Sequence, residues 1–257
     1  MLPNTCGWND MHRMQLRYLA AIGCVLMALA TLGLPASGQD SSRLADREKA
    51  AGWKLLFDGK STQGWRSFKK QSFPDKGWMV EDGWLHCLGK GGGNKGGGDI
   101  ITDAEFGDFE LQWEWKVAPS GNSGVKYFVI ETRDEASGHE YQMIDDERAP
   151  GVDNGNPKQL TAAFYAVLAP VHPPIRPAGE INSSRVVVKS NHVEHWLNGV
   201  KVLDYDCGSE TVKAAVAASK FKSKPGFGDK VKGHILLQDH NCKVWFRNVK
   251  LRELPAQ

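Results

Sequence analysis

Acidic, amide and imidazole side chains lie in or beside short apolar runs of this chain, where they could act on a polar substrate. In the run 139–144, Glu140 and Gln142 alternate with His139 and Tyr141, so the two pairs face opposite sides if the run is a strand. A strand face that offers a carboxylate and then an amide suits a sugar, because these groups accept and donate hydrogen bonds to hydroxyls. Glycoside cleavage typically uses two carboxyl groups set close together. The alternative is a solvated sheet face without a catalytic role.

Further polar clusters lie just before or after apolar runs. They are Glu180 with Asn182, the triplet Gln238-Asp239-His240, and Asp145-Asp146 at the end of the run 139–144. The chain has nine tryptophans, and Trp113, Trp115 and Trp196 lie in strand-like segments. Polar clusters that recur beside aromatic side chains favour a groove that binds carbohydrate.

Other kinds of site are disfavoured. His192 and His195 have H-x-x-H spacing, but on a strand they point to opposite faces and cannot share a metal ion. No HExxH motif, EF-hand loop or G-x-S-x-G elbow is present. The glycine-rich run 90–98 lacks the Gly-Lys-Ser/Thr ending of a phosphate loop and precedes no helix, so we interpret it as a connection between strands.

Composition excludes two broad classes of protein. The 257 residues include 32 Lys+Arg and 30 Asp+Glu, a formal net charge of +2, with 41% hydrophobic residues. This balance excludes a disordered, highly charged chain and a surface that neutralises nucleic-acid phosphates. We therefore expect no nucleic-acid partner.

The N-terminus predicts export. Residues 19–34 are apolar and uncharged, Arg13 and Arg17 precede them, and Ala36 and Gly38 follow as a small-residue cleavage site. We predict a signal peptide at 1–38, a polar lead at 39–51, and a periplasmic or extracellular bacterial location. An uncleaved anchor is the alternative. Three cysteines would remain, Cys87, Cys207 and Cys242, so at most one disulfide is expected and none is required.

The elements that position these residues are predicted to be strands. Residues 109–117 alternate strictly between apolar and polar types, and Asp82-Gly83 and Asn198-Gly199 are hairpin turn pairs. Further strands are predicted at 78–80, 84–88, 99–102, 124–131, 139–144, 164–168, 185–188, 193–197, 200–205, 234–238 and 244–252. One helix is predicted at 209–220, capped by Ser209. This pattern predicts one all-β sandwich or barrel domain over 52–254.

Several motifs resemble the 3-keto-disaccharide hydrolase domain family. They include Gly-Trp-Lys-Leu-Leu-Phe-Asp-Gly-Lys-Ser at 52–61, Gly-Asp-Phe-Glu-Leu at 107–111, Gly-His-Glu-Tyr-Gln at 138–142, Val-Glu-His-Trp-Leu-Asn-Gly at 193–199 and Gly-His-Ile-Leu-Leu-Gln-Asp-His at 233–240. Two positions depart from the family pattern. Ile181 stands where the family commonly has Trp, and Asn241 stands where it usually has Gly.

The resemblance implies a jelly-roll β-sandwich of two antiparallel sheets, as in concanavalin A-like lectins and glucanases, with a concave sugar-binding face. It also implies action on oxidised oligosaccharides or glycosides that carry a ketone at C3. That ketone acidifies the C2 proton, so a base can remove it, the C1 glycosidic oxygen can leave, and water can add to the enone. Such a site needs a base, an acid and a hydrogen-bond donor or cation near the ketone.

These requirements lead to specific role predictions. We expect His195 or His240 to be the base and Glu140 and Glu180 to be acidic or orienting groups. We expect Asp239 to orient His240 or to help bind a divalent cation. The residues expected to hold the sugar are Gln142, Asp146, Asn182, Trp113, Trp196, Gln238 and Asp239.

A purely structural role remains open for some of these residues. His195 shares a strand face with Val193 and Leu197 and could be a hydrogen-bonded core histidine, and Asp146 and Asp239 could cap turns. A non-catalytic carbohydrate-binding module is the second candidate function, because lectins share the fold. An ordinary retaining glucanase is a third, but its Glu-x-Asp-x-Glu strand is missing, since Gln142 and Ile144 occupy the second and third acidic positions.

Overall fold

A computed structural model describes residues 43–89, 96–150, 153 and 155–255 of the chain. The described residues belong to one compact unit, Asp40–Gln257. The predicted signal peptide, the first residues of the polar lead and most of the glycine-rich run lie outside the described residues. Among the helices of the described ranges, none is long and apolar enough to cross a membrane.

The described residues form two antiparallel sheets, as the jelly-roll prediction requires. The eight-stranded sheet has the order β11-β10-β9-β6-β13-β4-β3, with β1 also paired to β13, and the five-stranded sheet has the order β2-β5-β12-β7-β8. The strands are β1 Lys54–Leu55, β2 Trp65–Ser67, β3 Trp78–Glu81, β4 Trp84–Leu88, β5 Ile100–Phe106, β6 Phe109–Val117, β7 Asn122–Val129, β8 His139–Ile144, β9 Asn182–Lys189, β10 His192–Leu197, β11 Val200–Asp206, β12 Gly233–Leu237 and β13 Lys243–Glu253.

Both predicted hairpin turns are confirmed. Asp82 and Gly83, between β3 and β4, have φ of 50° and 78°, and Asn198 and Gly199, between β10 and β11, have φ of 47° and 85°. Two consecutive residues with positive φ form the turn whose twist matches that of the flanking strands, and Asn, Asp and Gly tolerate it best. These turns fix the register of the two hairpins, β3-β4 and β10-β11, which lie at opposite edges of the eight-stranded sheet.

Some predicted elements differ from those observed. No regular strand forms at 164–168, where Phe164 makes only isolated bridges, to Tyr141 and to Leu168. Helix α2, Glu210–Ala217, is capped by Ser209 as predicted but ends before Lys220. The expectation of a single helix was wrong, because a five-residue helix α1, Asp46–Ala50, forms in the polar lead. The short strands β1 and β2 were not predicted, since neither is long enough to show alternation.

The core lies between the two sheets and contains Trp113, which was predicted to bind sugar, together with Trp115. Trp113 and Trp115 on β6 are each 1% exposed. The Trp115 indole N–H donates to Ser184 Oγ at 2.8 Å, and Trp113 packs edge-on against Tyr141. The sugar-binding prediction for Trp113 was therefore wrong, because its alternation places it on the inner face of the sheet. The three cysteines within the described residues are free.

A polar network crosses this core. Tyr127 Oη lies 2.7 Å from both His195 Nε2 and Tyr205 Oη, and His139 Nδ1 lies 2.8 Å from Tyr205 Oη. His195 Nδ1 lies 2.9 Å from the Ala162 carbonyl oxygen. His195 is fully buried and both ring nitrogens are occupied, so it cannot reach a substrate. The prediction of His195 as catalytic base is corrected here to a structural role.

This network predicts acid sensitivity. Burial lowers the pKa of His139 to about 3 and that of His195 to about 4. Both rings are therefore neutral in the folded protein, whereas they gain protons below about pH 6.5 when unfolded. We expect the free energy of unfolding to fall as pH decreases from about 6.5 toward 4, with His195 contributing on the order of 3 kcal/mol.

Urea unfolding followed between pH 7 and pH 4.5 measures this dependence. His195→Gln should reduce the slope with pH, and the exposed residue His172 provides the control variant, His172→Gln. A stability that does not change over this range would contradict neutral burial of the two histidines.

Candidate active site

A pocket of about 210 Å³ lies on the outer face of the five-stranded sheet. Its floor is formed by β7 and β8, where Lys126 pairs with Glu140 and Gly124 with Gln142. These residues point outward because the alternate positions, Val125, Tyr127 and Tyr141, are fully buried in the core. The complete lining is Asn122, Lys126, Glu135, Ala136, Ser137, Gly138, Glu140, Gln142, Tyr165, Lys220, Phe221, Lys224, Gln238 and His240.

The segment that ends at Tyr165 runs beside β8 and closes one side of the pocket. It bonds to β8 without forming a regular strand. The Ala162 amide donates to the Gln142 carbonyl at 2.9 Å, and the Tyr165 amide donates to the Glu140 carbonyl at 3.0 Å. The residues that follow α2 contribute Lys220, Phe221 and Lys224 to the lining, and the Lys220 ammonium lies over the Tyr165 ring. Strand β12 ends at Leu237, so Gln238 and His240 reach the pocket from the adjacent strand.

Glu140 is a buried carboxylate at the floor of the pocket. The side chain is accommodated because residue 124 is glycine, since a Cβ there would lie 2.7 Å from Glu140 Oε1. With its amide nitrogen turned toward β7, Gln142 donates to Glu140 Oε1 at 3.2 Å and to the Ser123 carbonyl at 2.9 Å. Burial raises the pKa of Glu140, and the ammonium groups of Lys126 and Lys220 oppose that rise. An acid with a raised pKa can hold a proton nearer to neutral pH, as general acids do.

Lys126 lies between two carboxylates. Its Nζ is 3.9 Å from Glu140 Oε2 and 3.8 Å from Asp99 Oδ2. Burial also raises the pKa of Asp99, and the positive charge of Lys126 opposes that rise. The Asp99 carboxylate additionally accepts a hydrogen bond from the Asp239 amide at 2.9 Å. One ammonium group thus compensates two acids beside the cavity, the buried Glu140 and the half-buried Asp99.

Two amide oxygens on the lining have no hydrogen-bond partner within the described residues. They are Asn122 Oδ1 and Gln238 Oε1, and both atoms are buried. A buried acceptor without a partner costs free energy, so such atoms commonly await a ligand or water. Hydroxyl groups of a sugar would satisfy both of them.

Most of the chain matches one protein family. Residues 52–252 match the model of the 3-keto-alpha-glucoside-1,2-lyase-like domain. The chain belongs to this family. A relative named 3-keto-disaccharide hydrolase, from Bacteroides thetaiotaomicron, is 34% identical over 250 residues, which cover 86% of this chain and 84% of the relative.

Two solved structures of putative glycosyl hydrolases from Parabacteroides distasonis have the same fold. One is 37% identical with a TM-score of 0.74 and covers 83% of this chain and 99% of the other. The second is 28% identical with a TM-score of 0.61 and covers 79% of this chain and 99% of the other. Membership in the family decides between an enzyme and a non-catalytic binding module in favour of the enzyme.

The pocket of this family member brings together four of the residues predicted from sequence. Glu140, Gln142, Gln238 and His240 all line it, although they come from β8 and from the end of β12. Their convergence depends on β7, which lies between β8 and β12 in the sheet. The sequence therefore located one strand face and one strand end of a common site.

The structure places Glu180 and Trp196 elsewhere. Glu180 is exposed in the loop before β9 and does not line the pocket, so its prediction as a catalytic residue is corrected. Trp196 lies on β10 of the eight-stranded sheet, where the Arg185 guanidinium covers its ring at 3.8 Å from the centroid. A ring covered in this way is not an open sugar platform.

The remaining predicted sugar-binding residues have structural contacts. Asn182 Oδ1 accepts from the Arg176 amide at 3.0 Å and from Asn198 Nδ2 at 2.8 Å. Asp146 Oδ1 accepts from the amide and the hydroxyl of Thr161, both at 2.9 Å. These two side chains hold loops in place, so their prediction as sugar ligands is corrected. Asp146 does not cap a turn either, because its partner Thr161 lies fifteen residues further along the chain.

Asp239 is also occupied by backbone amides. Its carboxylate accepts from the Gly98 amide at 3.0 Å and from the Asn241 amide at 2.9 Å, so orientation of His240 is not its role. Asn241 has a φ of 57°, a conformation that Asn tolerates well, which explains how it replaces the usual glycine of the family. Within the described residues, no group of three or more His, Cys, Asp or Glu side chains is arranged as a metal site.

Sequence reasoning missed the lysines of the pocket. Lys126 is the single charged residue in the apolar stretch 125–130, which was a usable signal. Lys224 forms an ion pair with Glu135. Lys220 is exposed at the pocket mouth, with its ammonium 4.2 Å from the centre of the Tyr165 ring. Three cationic side chains therefore surround the cavity above Glu140.

Proposed function

We propose that the protein hydrolyses glycosides whose sugar carries a ketone at C3, using the pocket above β7 and β8. Family membership makes it a carbohydrate hydrolase, and the name of the Bacteroides thetaiotaomicron relative supports 3-keto-disaccharides as the substrate class. The observation that carries the proposal is the buried pair of Glu140 and Lys126 on the pocket floor. Elimination next to a ketone requires an acid that protonates the leaving oxygen and a cation that stabilises the ketone oxygen, and this pair supplies both.

The first half of the reaction is an elimination. His240 takes the C2 proton, which the neighbouring ketone makes acidic, and Lys126 donates to the C3 oxygen as negative charge develops there. The electron pair then moves to form a double bond between C1 and C2, and the glycosidic oxygen leaves from C1. Glu140, whose pKa is raised by burial, gives its proton to that oxygen.

The second half reverses these proton transfers. Glu140 is now a carboxylate and takes a proton from water as the water oxygen bonds to C1. The proton held by His240 returns to C2, and the ketone at C3 is restored. Asn122 and Gln238, with their unpartnered buried oxygens, would hold sugar hydroxyls during both steps.

Turnover of matched substrates tests the proposal. The purified protein is given a 3-keto-disaccharide and, as the control, the same disaccharide without the ketone. We expect cleavage of the oxidised sugar alone, and the product formed in D2O should carry deuterium at C2. Equal cleavage of the unoxidised sugar, or no cleavage of either in the presence of added divalent metals, would overturn the proposal.

Export is a second, independent proposal. We infer that residues 1–38 direct the chain out of the cytoplasm, because an apolar run follows two arginines and precedes small residues. Expression in a Gram-negative host and N-terminal sequencing of the periplasmic protein should show a start at Gln39. A full-length chain recovered only from the membrane fraction would favour the uncleaved anchor.

A further inference from the structure

One lysine of the pocket has no role in the proposed mechanism and pairs with no carboxylate of the described residues. Lys220 lies at the mouth of the pocket, on the segment that follows α2, and its ammonium stacks over Tyr165 at 4.2 Å and near Phe221 at 5.1 Å from the ring centres. Lys126 and Lys224 are held by carboxylates, whereas Lys220 forms no ion pair with a carboxylate of the described residues. It is the lysine of the pocket whose amine is available.

We propose that Lys220 condenses with the C3 ketone of the substrate to form an iminium ion, which then replaces the ketone as the electron acceptor of the elimination. This inference rests on the proposed 3-keto-glycoside substrate. A primary amine and a ketone held in one cavity form such an adduct readily when the amine is neutral. An iminium carries a full positive charge, so it withdraws electrons from C2 more strongly than a ketone does.

The surroundings of Lys220 favour the neutral amine. Although Lys220 is exposed, contact with the rings removes part of its hydration and lowers its pKa. The positive charges of Lys126 and Lys224 lower it further, while Glu140 acts in the opposite direction. A second cationic group nearby and an apolar contact are the two environments that activate nucleophilic lysines. In this route Lys126 donates to the C3 oxygen while the Lys220 amine attacks C3, because that oxygen has left before the elimination begins.

The steps balance without any further reactant. The Lys220 nitrogen bonds to C3. The ketone oxygen takes one proton from the amine and one from solvent and leaves as water, which gives the iminium. His240 takes the C2 proton to give an enamine, whose electron pair expels the C1 oxygen as Glu140 protonates it. Water then adds to C1, and C2 regains its proton. A second water hydrolyses the iminium, which restores the ketone, frees Lys220 and returns one proton to solvent. One water is consumed overall.

Reductive trapping tests the inference. Sodium cyanoborohydride reduces an iminium to a stable secondary amine, so the wild-type protein incubated with a 3-keto-disaccharide should gain the mass of one reduced sugar. Peptide mapping should place the sugar on Lys220. In Glu140→Gln, where elimination is slow, the adduct should accumulate to a larger fraction of the protein. Substrate labelled with ¹⁸O at C3 should lose its label faster with the protein than in buffer.

Matched variants separate the outcomes. Lys220→Arg keeps the charge and should lose both the adduct and most of the turnover, whereas Lys222→Arg, exposed on the same segment, should keep both. Normal turnover by Lys220→Arg, or by wild type without an adduct, would overturn this inference and leave the proposed function standing. An adduct on Lys126 or Lys224 would also overturn it. Absence of any turnover of 3-keto-disaccharides by wild type would instead overturn the proposed function.

Discussion

Glu140→Gln is expected to lower kcat/KM for a 3-keto-disaccharide by about 10²–10⁴-fold, the usual contribution of a positioned proton donor. The variant keeps the shape and the hydrogen-bonding capacity of the side chain but cannot exchange a proton. Steady-state kinetics with the 3-keto-disaccharide measures the loss. The loss should appear in kcat, because proton transfer to the leaving oxygen occurs only during the reaction.

The same substitution is expected to raise stability at neutral pH. The folded protein holds the Glu140 proton more tightly than the unfolded chain does, since burial raises the pKa of this acid above 4.5. Its contribution to stability is therefore greatest below the unfolded pKa and declines as pH rises through the folded pKa. Glutamine carries no charge, so the cost of a buried carboxylate at pH 7 disappears, and Tm should increase.

Glu180→Gln provides the matched control. Glu180 is exposed and lies outside the pocket, so its variant should keep the activity and the Tm of wild type. Equal loss of activity in the two variants, or a lower Tm for Glu140→Gln at pH 7, would contradict the role assigned to Glu140.

Lys126→Met is expected to have the second largest effect, with activity reduced about 10²–10³-fold, as for removal of one donor to a developing oxyanion. Unlike Glu140→Gln, it should also destabilise the fold at pH 7, by about 3–5 kcal/mol. The reason is that the buried Glu140 and the half-buried Asp99 would lose their shared cation. Kinetics and urea unfolding of the same preparation measure both quantities.

A double variant separates the two effects. Lys126→Met combined with Glu140→Gln removes one charge of each sign, so it should regain part of the lost stability while staying inactive. Lys222→Met, at an exposed position, is the control for loss of a single positive charge. Stability of the double variant equal to the sum of the two single effects would show that Lys126 and Glu140 are not coupled.

The strand framework could be predicted because it depends on local signals. The alternation in β6 and the turn pairs Asp82-Gly83 and Asn198-Gly199 act within a few residues, and each was observed as expected. The same locality explains the correct placement of Glu140 and Gln142 on one face of β8. Phe164 was misassigned because an apolar run beside a sheet edge has the composition of a strand whether or not it pairs regularly.

The side of β8 that faces the core could not be predicted. Glu140 lies on the outer face and His139, one residue before it, lies in the core, although both side chains are polar. Which face of a strand becomes the inner face depends on where the second sheet packs. That packing is set by residues far apart in the sequence. Lys126 and Lys220 were missed for the same reason, since their relation to Glu140 arises from strand pairing and from the segment after α2.

The central claim is that the pocket above β7 and β8 binds the 3-keto sugar with its C3 oxygen toward Lys126. A crystal structure of Glu140→Gln with an intact 3-keto-disaccharide tests it most directly, because the slow variant should preserve the substrate. We expect the oxidised ring in the pocket, with hydroxyls on Asn122 and Gln238, His240 facing C2, and C3 nearest the lysines. A sugar bound only elsewhere, for example beside Trp196 on the eight-stranded sheet, with this pocket free of sugar, would contradict the account.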